Sequence, residues 1–119
     1  MYEKYGQFID GKWQASSNKE TYEVINPATE EVIGHASKAT FGDVERALKS
    51  AEKGLQIWKT TPPWQRSYVL RKIADKMREK KDVLAKWMTL ENGKPLAEGI
   101  AETNGAADIF EWNAEETKR

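Results

Sequence analysis

The spacing of apolar residues changes near Thr40, and this change constrains the fold more than any other feature of the sequence. Before Thr40, short apolar runs alternate with polar residues and are separated by turn-forming dipeptides, a pattern typical of β-strands. After Thr40, apolar residues recur every three or four positions, as in amphipathic helices. The sequence therefore predicts an α+β chain with N-terminal β-hairpins over residues 1–39 and about four α-helices over residues 40–119.

Two hairpins are predicted in the first part of the chain. The Asp10-Gly11 pair lies between apolar residues, which favours a type I′ turn because both central positions of that turn take positive φ. Residues 22–26 alternate as a strand, and residues 32–33 form the return strand. Pro27 has no N–H to donate to a β-ladder, so we expect the earlier strand to end before it.

Helix boundaries are marked by capping and breaking residues. Thr40 is a suitable N-cap with Asp43 three residues later, and Pro63 suits the first turn of a second helix. Gly93 is expected to end a third helix, and Pro95 to open a fourth. The apolar positions of the four helices are Phe41, Val44, Leu48, Leu55 and Trp58; Val69, Leu70, Ile73 and Met77; Val83, Leu84, Trp87, Met88 and Leu90; and Leu96, Ile100, Thr103, Ala107, Phe110 and Ala114.

Composition excludes several classes of function. Lys plus Arg and Asp plus Glu both number 19, and a neutral chain favours binding neither to nucleic acid nor to anionic membranes. With no cysteine, the 119 residues offer no disulfide, thiolate metal site or thiol nucleophile. No apolar run resembles a signal peptide or reaches the roughly 20 residues of a membrane helix. We therefore expect a cytoplasmic protein.

Few residues suggest catalysis by themselves. His35 is the only histidine, and without a nucleophile in view it is interpreted as a structural or surface residue. Glu98 and Glu102 are four residues apart, but a pair of carboxylates on a helix is more often solvated than catalytic. Gly99 and Gly105 fit neither the dinucleotide fingerprint nor the phosphate loop. We interpret both glycines as points of close helix packing.

Each of the five tryptophans could either pack in the core or stack on a ligand. Trp58 and Trp87 fit helical apolar stripes and are expected in the core. For Trp13, Trp64 and Trp112 both interpretations stay open. From the residues alone, the chain has no visible catalytic site.

Charge is unevenly distributed along the helical part. Residues 66–86 carry eight basic and three acidic side chains, whereas residues 91–119 carry three basic and seven acidic ones. The basic run lacks interleaved aromatic residues and the whole chain is neutral. We therefore predict two solvated helix faces of opposite sign and not a nucleic-acid site.

Several stretches, in order, resemble the N-terminal part of the NAD(P)-dependent aldehyde dehydrogenase superfamily. Any one of them is weak evidence, but together they cover nearly the whole chain at family spacing. They are Phe8–Trp13; Val24–Thr29 followed by Glu31–Gly34; Asp43, Val44 and Ala47; Trp58–Pro62; Arg66, Leu70, Ile73 and Ala74; Leu90–Pro95; and Ala106, Ala107, Phe110 and Ala114.

The resemblance implies a scaffold role. Full-length members oxidise an aldehyde to a carboxylic acid with NAD or NADP, using a catalytic cysteine that this chain lacks. Residues 1–119 would be a truncated segment of the cofactor-binding domain, and no stop signal follows the last predicted helix. No catalytic or cofactor-binding residue is assigned, and we expect the chain alone to be inactive and to bind no cofactor. We expect it to pack on the rest of a dehydrogenase or to self-associate as an oligomer. The alternative is a small helical protein-interaction module without enzymatic activity.

Two positions carry further expectations from the resemblance. Many members bind a structural Na⁺ or K⁺ ion, which here would be held by the backbone carbonyl of Val24 or Ile25 and by the carboxylate of Glu91. The family usually has the shorter Asp at that last position, so Glu91 is equally well interpreted as a residue near a helix C-terminus. Glu30 stands where the family usually has Gly. If the turn needs a positive φ there, Glu30 is mildly strained or the loop is rearranged.

Overall fold

The computed structural model describes residues 5–119 and confirms the predicted α+β order of two hairpins followed by four helices. The described residues form two compact units, of which the first ends at Lys59 and the second is Thr60–Arg119. The elements are β1 (Gln7–Ile9), β2 (Lys12–Gln14), β3 (Thr21–Ile25), β4 (Val32–Ser37), α1 (Phe41–Trp58), α2 (Pro63–Glu79), α3 (Lys81–Asn92) and α4 (Leu96–Glu116). Among residues 5–119, none of the helices has the length and apolar character that a membrane span requires.

The first hairpin turns where the Asp-Gly pair predicts. Asp10 has φ 54° and Gly11 has φ 74°, the two positive values that a type I′ turn needs. β1 and β2 pair antiparallel, with Phe8 opposite Trp13 and Ile9 opposite Lys12. The turn therefore sets a register that places Ile9 and Lys12 on one face of the ribbon.

The second hairpin, β3 with β4, contains a strained turn. β3 ends before Pro27, as expected, and the Asn26 N–H donates to the Glu31 carbonyl at 2.9 Å. Glu30 donates its N–H to the Asn26 carbonyl at 2.8 Å and has φ 59°. A residue with a Cβ pays about 1–2 kcal/mol in this left-handed conformation. The strain expected at Glu30 if its φ were positive is therefore present.

Helix α1 begins with the predicted capping box. The Asp43 N–H donates to Thr40 Oγ1 at 3.2 Å, and the Thr40 N–H donates to Asp43 Oδ2 at 2.8 Å. Each residue thus satisfies a backbone donor that the first helical turn leaves without a partner.

The other helices also have boundaries at the predicted proline and glycine residues. Pro63 occupies the first turn of α2, and Gly93 ends α3 in the left-handed conformation at φ 77°. Pro95 is the N-cap of α4. The second unit is consequently three helices joined by short connections.

Small residues form the core of the second unit. α4 packs against both α2 and α3, and the fully buried positions include Ala74, Ala85, Ala107 and Ala114. A Cβ built on Gly99 would lie 3.0 Å from the Ala85 carbonyl oxygen, so Gly99 permits close contact of α3 and α4.

The same interpretation is wrong for Gly105. A Cβ built there would meet nothing within 4 Å. The prediction gave Gly99 and Gly105 the same role in helix packing. Of the two, only Gly99 faces the backbone of a neighbouring helix.

The prediction that Trp58 packs in the core is also wrong. Trp58 is 40 % exposed, and Phe41 and Leu48 on the same helical stripe are 81 % and 65 % exposed. This face of α1 is therefore largely exposed. Trp87, the other tryptophan expected in the core, is half-buried.

Candidate functional site

The described residues bring together no cluster of side chains that could hold a metal ion. Within residues 5–119, no three His, Asp or Glu side chains converge as a metal site would need. His35 is exposed on β4, and Glu102 forms an ion pair with Lys94. The candidate functional features are exposed apolar and charged surfaces and one buried polar network around Asp43.

The residues predicted to hold a monovalent cation fall in different units. Val24 and Ile25 lie in β3 at a register shift, since Val24 pairs with Gly34 and Ile25 with Val32. Glu91 lies in α3, one residue before its end, beside a cavity between the helices of the second unit. The cation site stays a prediction.

Asp43 organises the first unit from the beginning of α1. Its side chain is almost completely buried, with 1 % of its surface exposed. The Ser17 hydroxyl donates to Asp43 Oδ1 at 2.6 Å, and the Ser17 N–H lies 3.2 Å from Oδ2. The Arg46 guanidinium contacts the same carboxylate at 2.5 Å. Asp43 therefore ties the loop between the two hairpins to the N-terminus of α1.

These donors hold Asp43 ionised. The hydrogen bond from the Ser17 hydroxyl, followed by the one from the Thr40 N–H, lowers the pKa of Asp43 far below its usual range, and burial opposes them only in part. A carboxylate that accepts several hydrogen bonds is stabilised in its charged form. Asp43 is thus a structural anion and not a proton donor at neutral pH.

The exposed apolar face of α1 is a candidate binding surface in the first unit. We call it the α1 stripe, and it comprises Phe41, Val44, Leu48, Leu55 and Trp58, all at least 40 % exposed. These residues recur at helical spacing on one side of α1, which favours a partner that covers the whole helix. Contiguous exposed apolar patches of this kind mark interaction surfaces.

Aromatic residues form a second exposed surface on the first hairpin. The Trp13 ring lies 5.2 Å from Tyr5 in an edge-on arrangement and 5.0 Å from Phe8. All three rings are about half exposed. Trp13, whose role the sequence left open, therefore belongs to a surface cluster.

The second unit exposes apolar residues on α2 and α3. Val69, Ile73, Met77 and Leu84 line a groove of about 430 Å³, with lysines at its rim. Trp64 and Trp112 are 71 % and 69 % exposed. Lys118 lies 5.5 Å from the centre of the Trp64 ring, an arrangement that allows a cation–π contact.

The basic and acidic runs of the sequence meet between α2 and α4. Arg78 contacts Asp108 at 2.6 Å and Glu111 at 2.7 Å, and Arg71 forms ion pairs with Glu111 and Glu115. The predicted faces of opposite charge are thus partly paired with each other. This pairing leaves the basic run less free to attract a nucleic acid.

Sequence reasoning identified part of this arrangement and missed the rest. It found Asp43 as a cap but not Ser17 or Arg46, whose contacts with Asp43 span 26 and 3 residues. The i, i+3 spacing of Asp43 and Arg46 was a usable signal. The long-range bond from Ser17 had no local signature.

Comparison with known proteins assigns the class. Residues 13–119 match the model of the aldehyde dehydrogenase family. The chain is 44 % identical over 112 residues to glutarate-semialdehyde dehydrogenase of Pseudomonas putida, and 38 % identical over 112 residues to succinate-semialdehyde dehydrogenase [NADP(+)] 2 of Schizosaccharomyces pombe. Each match covers 94 % of this chain and 23 % of the relative.

A solved structure agrees with the sequence matches. Betaine aldehyde dehydrogenase of Staphylococcus aureus in complex with NAD⁺ superposes with a TM-score of 0.92 at 35 % identity, over 96 % of this chain and 23 % of that one. The fold is therefore that of the N-terminal region of a nucleotide-dependent oxidoreductase. The chain belongs to the aldehyde dehydrogenase family, and it spans about a quarter of the length of the relatives it matches.

Proposed function

We propose that this chain is the N-terminal scaffold of an aldehyde dehydrogenase and packs on the remainder of the enzyme, which carries the chemistry. The observation that supports this most is the α1 stripe, whose residues are apolar although each of them is at least 40 % exposed. Relatives have roughly three quarters of their length beyond the matched segment. The remainder of the enzyme is the natural cover for these surfaces.

We place the chemical step outside this chain. Aldehyde oxidation in this family needs a thiolate nucleophile, and the 119 residues contain no cysteine. The chain would contribute by holding the cofactor-binding domain in shape. By itself it would bind neither cofactor nor aldehyde tightly.

The relatives suggest the class of substrate. Two of the matched enzymes act on ω-semialdehydes of dicarboxylic acids, and the identity of 44 % to one of them supports a semialdehyde for the intact enzyme. NAD or NADP would be the cofactor, since a solved relative holds NAD⁺ and another is named for NADP⁺. The expected cytoplasmic location and oligomeric state belong to the same proposal.

A chimera tests the scaffold role. The segment of Pseudomonas putida glutarate-semialdehyde dehydrogenase that matches this chain would be replaced by residues 1–119, and NAD⁺-dependent oxidation of glutarate semialdehyde would be followed at 340 nm. We expect activity within about tenfold of the parent enzyme, because remote scaffold changes leave the reacting groups in place. A folded but inactive chimera would contradict the proposal, and so would dehydrogenase activity of residues 1–119 alone.

Two matched variants identify the surface that matters. Leu48→Asp places a charge in the middle of the α1 stripe and is expected to lower the yield of active chimera about tenfold or more, because it buries an unpaired carboxylate. Gln56→Asp introduces the same side chain and the same change of charge at an exposed position on a different face of α1. It should leave the yield nearly unchanged, and equal losses from both variants would remove the stripe from the proposal.

The cation site is a separate, smaller proposal. We propose that a carbonyl of Val24 or Ile25 and the carboxylate of Glu91 hold Na⁺ or K⁺, since oxygen donors suit hard cations. The unfolding midpoint of the chimera would then be higher in sodium or potassium chloride than in choline chloride. Glu91→Gln should remove that difference, and a midpoint equal in all three salts would contradict the site.

A further inference from the structure

A groove between the first hairpin and α1 gathers positive charge. Lys12 of β2 and Arg46, Lys49 and Lys53 of α1 line it, and its volume is about 340 Å³. Asp10 is the only acid among its lining residues. These four cations lie together although the 19 basic and 19 acidic residues of the whole chain balance.

The fold, and not chance exposure, brings these side chains together. Arg46, Lys49 and Lys53 are separated by three and four residues, which places them on one face of α1. Lys12 pairs with Ile9 across the first hairpin, so both side chains lie on the same face of the ribbon. Ile9 is buried and β1 contacts α1, which turns that face towards the helix.

Most of this charge lacks a partner within the described residues. Arg46 is held in place by Asp43 at 2.5 Å and by the Ser17 hydroxyl at 3.0 Å. No carboxylate of residues 5–119 forms an ion pair with Lys12, Lys49 or Lys53. By contrast, Arg71 and Arg78 of α2 are paired with acids of α4. Asp10 and Asp43 offset two of the four positive charges, so the groove keeps a net charge of +2.

We propose that this groove binds a small, multiply charged oxyanion, such as a phosphate or a polycarboxylate. Arg46 is fixed by its two partners and offers an oriented guanidinium, while three lysines on flexible stems supply ammonium groups around it. The volume of the groove lies at the lower end of the range of small-ligand sites. Four cations over two elements are too few and too local for a nucleic acid, which needs an extended basic surface. This site does not depend on the dehydrogenase proposal.

Titration with defined anions tests the site. The 119-residue chain would be titrated with pyrophosphate and, separately, with citrate, at an ionic strength held constant with sodium chloride, and followed by amide NMR and calorimetry. We expect saturable binding of at least one anion, with shifts concentrated at residues 9–14 and 46–53. Binding of pyrophosphate alone identifies a phosphate site, and binding of citrate alone identifies a carboxylate site.

Paired variants separate a site from general attraction. Lys49→Gln with Lys53→Gln removes two of the four cations and is expected to weaken binding by about tenfold or more. Lys80→Gln with Lys86→Gln removes the same charge from the second unit and should leave the affinity unchanged. All four lysines are exposed, and circular dichroism checks that both variants fold. Equal weakening by the two pairs, or no saturable binding of either anion, would overturn the proposal.

Discussion

The two units of the molecule are stabilised in different ways. In the first unit, the buried residues are Ile9, Ser16 and Asp43, and the strongest contacts are hydrogen bonds and an ion pair to one carboxylate. In the second unit, alanines and a glycine allow three helices to approach closely. The first unit is therefore ordered by polar contacts around one residue, whereas the second has a packed, if small, core.

This difference bears on function. A unit with few buried apolar side chains leaves its large ones at the surface, and the α1 stripe is the result. Because burial of apolar surface is the main driving force of folding, such a unit gains most from a partner. The comparison thus links the weak core of the first unit to its proposed packing on the rest of a dehydrogenase.

Removal of the Asp43 carboxylate is the strongest test of the polar arrangement. Asp43→Ala removes the acceptor of the Ser17 and Thr40 donors and the carboxylate paired with the Arg46 guanidinium. We expect the unfolding midpoint to fall by roughly 10 °C. Thermal unfolding followed by circular dichroism measures it. Asp75→Ala removes an exposed acid of α2 and should change the midpoint little. If the two variants behave alike, Asp43 does not organise the first unit.

The pH dependence of stability sharpens the same point. The pKa of Asp43 is lower in the folded chain than in the unfolded one, so its contribution is complete above the unfolded value of about 3.9. It is lost as the pH falls further towards the depressed folded pKa. The difference in unfolding free energy between the native chain and Asp43→Asn should therefore be constant near neutral pH and shrink below about pH 4. A difference that grows on acidification would contradict the assigned direction.

A pair of glycine substitutions tests the packing of the second unit. Gly99→Ala places a methyl group 3.0 Å from the Ala85 carbonyl oxygen, and we expect a loss of about 1–2 kcal/mol because the gain in helix propensity is smaller than the overpacking cost. Gly105→Ala meets nothing within 4 Å and should stabilise the chain by about 0.5–1 kcal/mol. Denaturant titration distinguishes the two signs. Stabilisation by both variants would show that α3 and α4 are not closely packed at Gly99.

The ion pairs between α2 and α4 should contribute less. Arg78 and its partners are more than one third exposed, so solvent and salt screen them. We expect Arg78→Met to lower the unfolding midpoint by roughly 3 °C at low salt and by almost nothing at about 1 M NaCl. Lys86→Met, at an exposed position of α3, provides the control. An effect that persists at high salt would contradict a screened electrostatic contribution from Arg78.

The smallest expected effect is at the turn of the second hairpin. Glu30→Gly relieves the cost of a positive φ but increases the freedom of the unfolded chain, so we expect a gain of about 0.5 kcal/mol. Glu31→Gly relieves no strain, because Glu31 is not among the residues with positive φ, and it also removes the carboxylate that accepts from the Thr29 hydroxyl at 3.1 Å. It should therefore be destabilising by about 0.5–1 kcal/mol or more. Chemical denaturation of the two variants measures the difference. Destabilisation by both would mean that the Glu30 side chain contributes contacts worth more than its strain.

Local structure could be predicted from the sequence more accurately than the burial of side chains. Asp10-Gly11, Thr40 with Asp43, Pro63 and Gly93 mark boundaries that the structure reproduces, because turns and caps depend on residues close in the chain. Apolar stripes show which face of a helix seeks a partner but not whether that partner lies within the 119 residues. Trp58 was therefore placed in the core incorrectly.

Long-range partners had no signal in the sequence. The bond from Ser17 to Asp43 and the different surroundings of Gly99 and Gly105 depend on how elements pack, which spacing alone does not determine. The basic groove was likewise not found, since Lys12 joins the α1 cations only when the first hairpin lies beside the helix.

Amide hydrogen exchange, measured residue by residue in the isolated chain and in the chimera, tests the central claim most directly. The account predicts that amides of α1 and of the second hairpin exchange much more slowly in the chimera than in the isolated chain, because the remainder of the enzyme covers the first unit. The exchange rates of amides in the buried parts of α2 and α4, around the core alanines, should differ less between the two proteins. Equal protection of α1 in both proteins would contradict the claim that the first unit is built to be covered by the rest of a dehydrogenase.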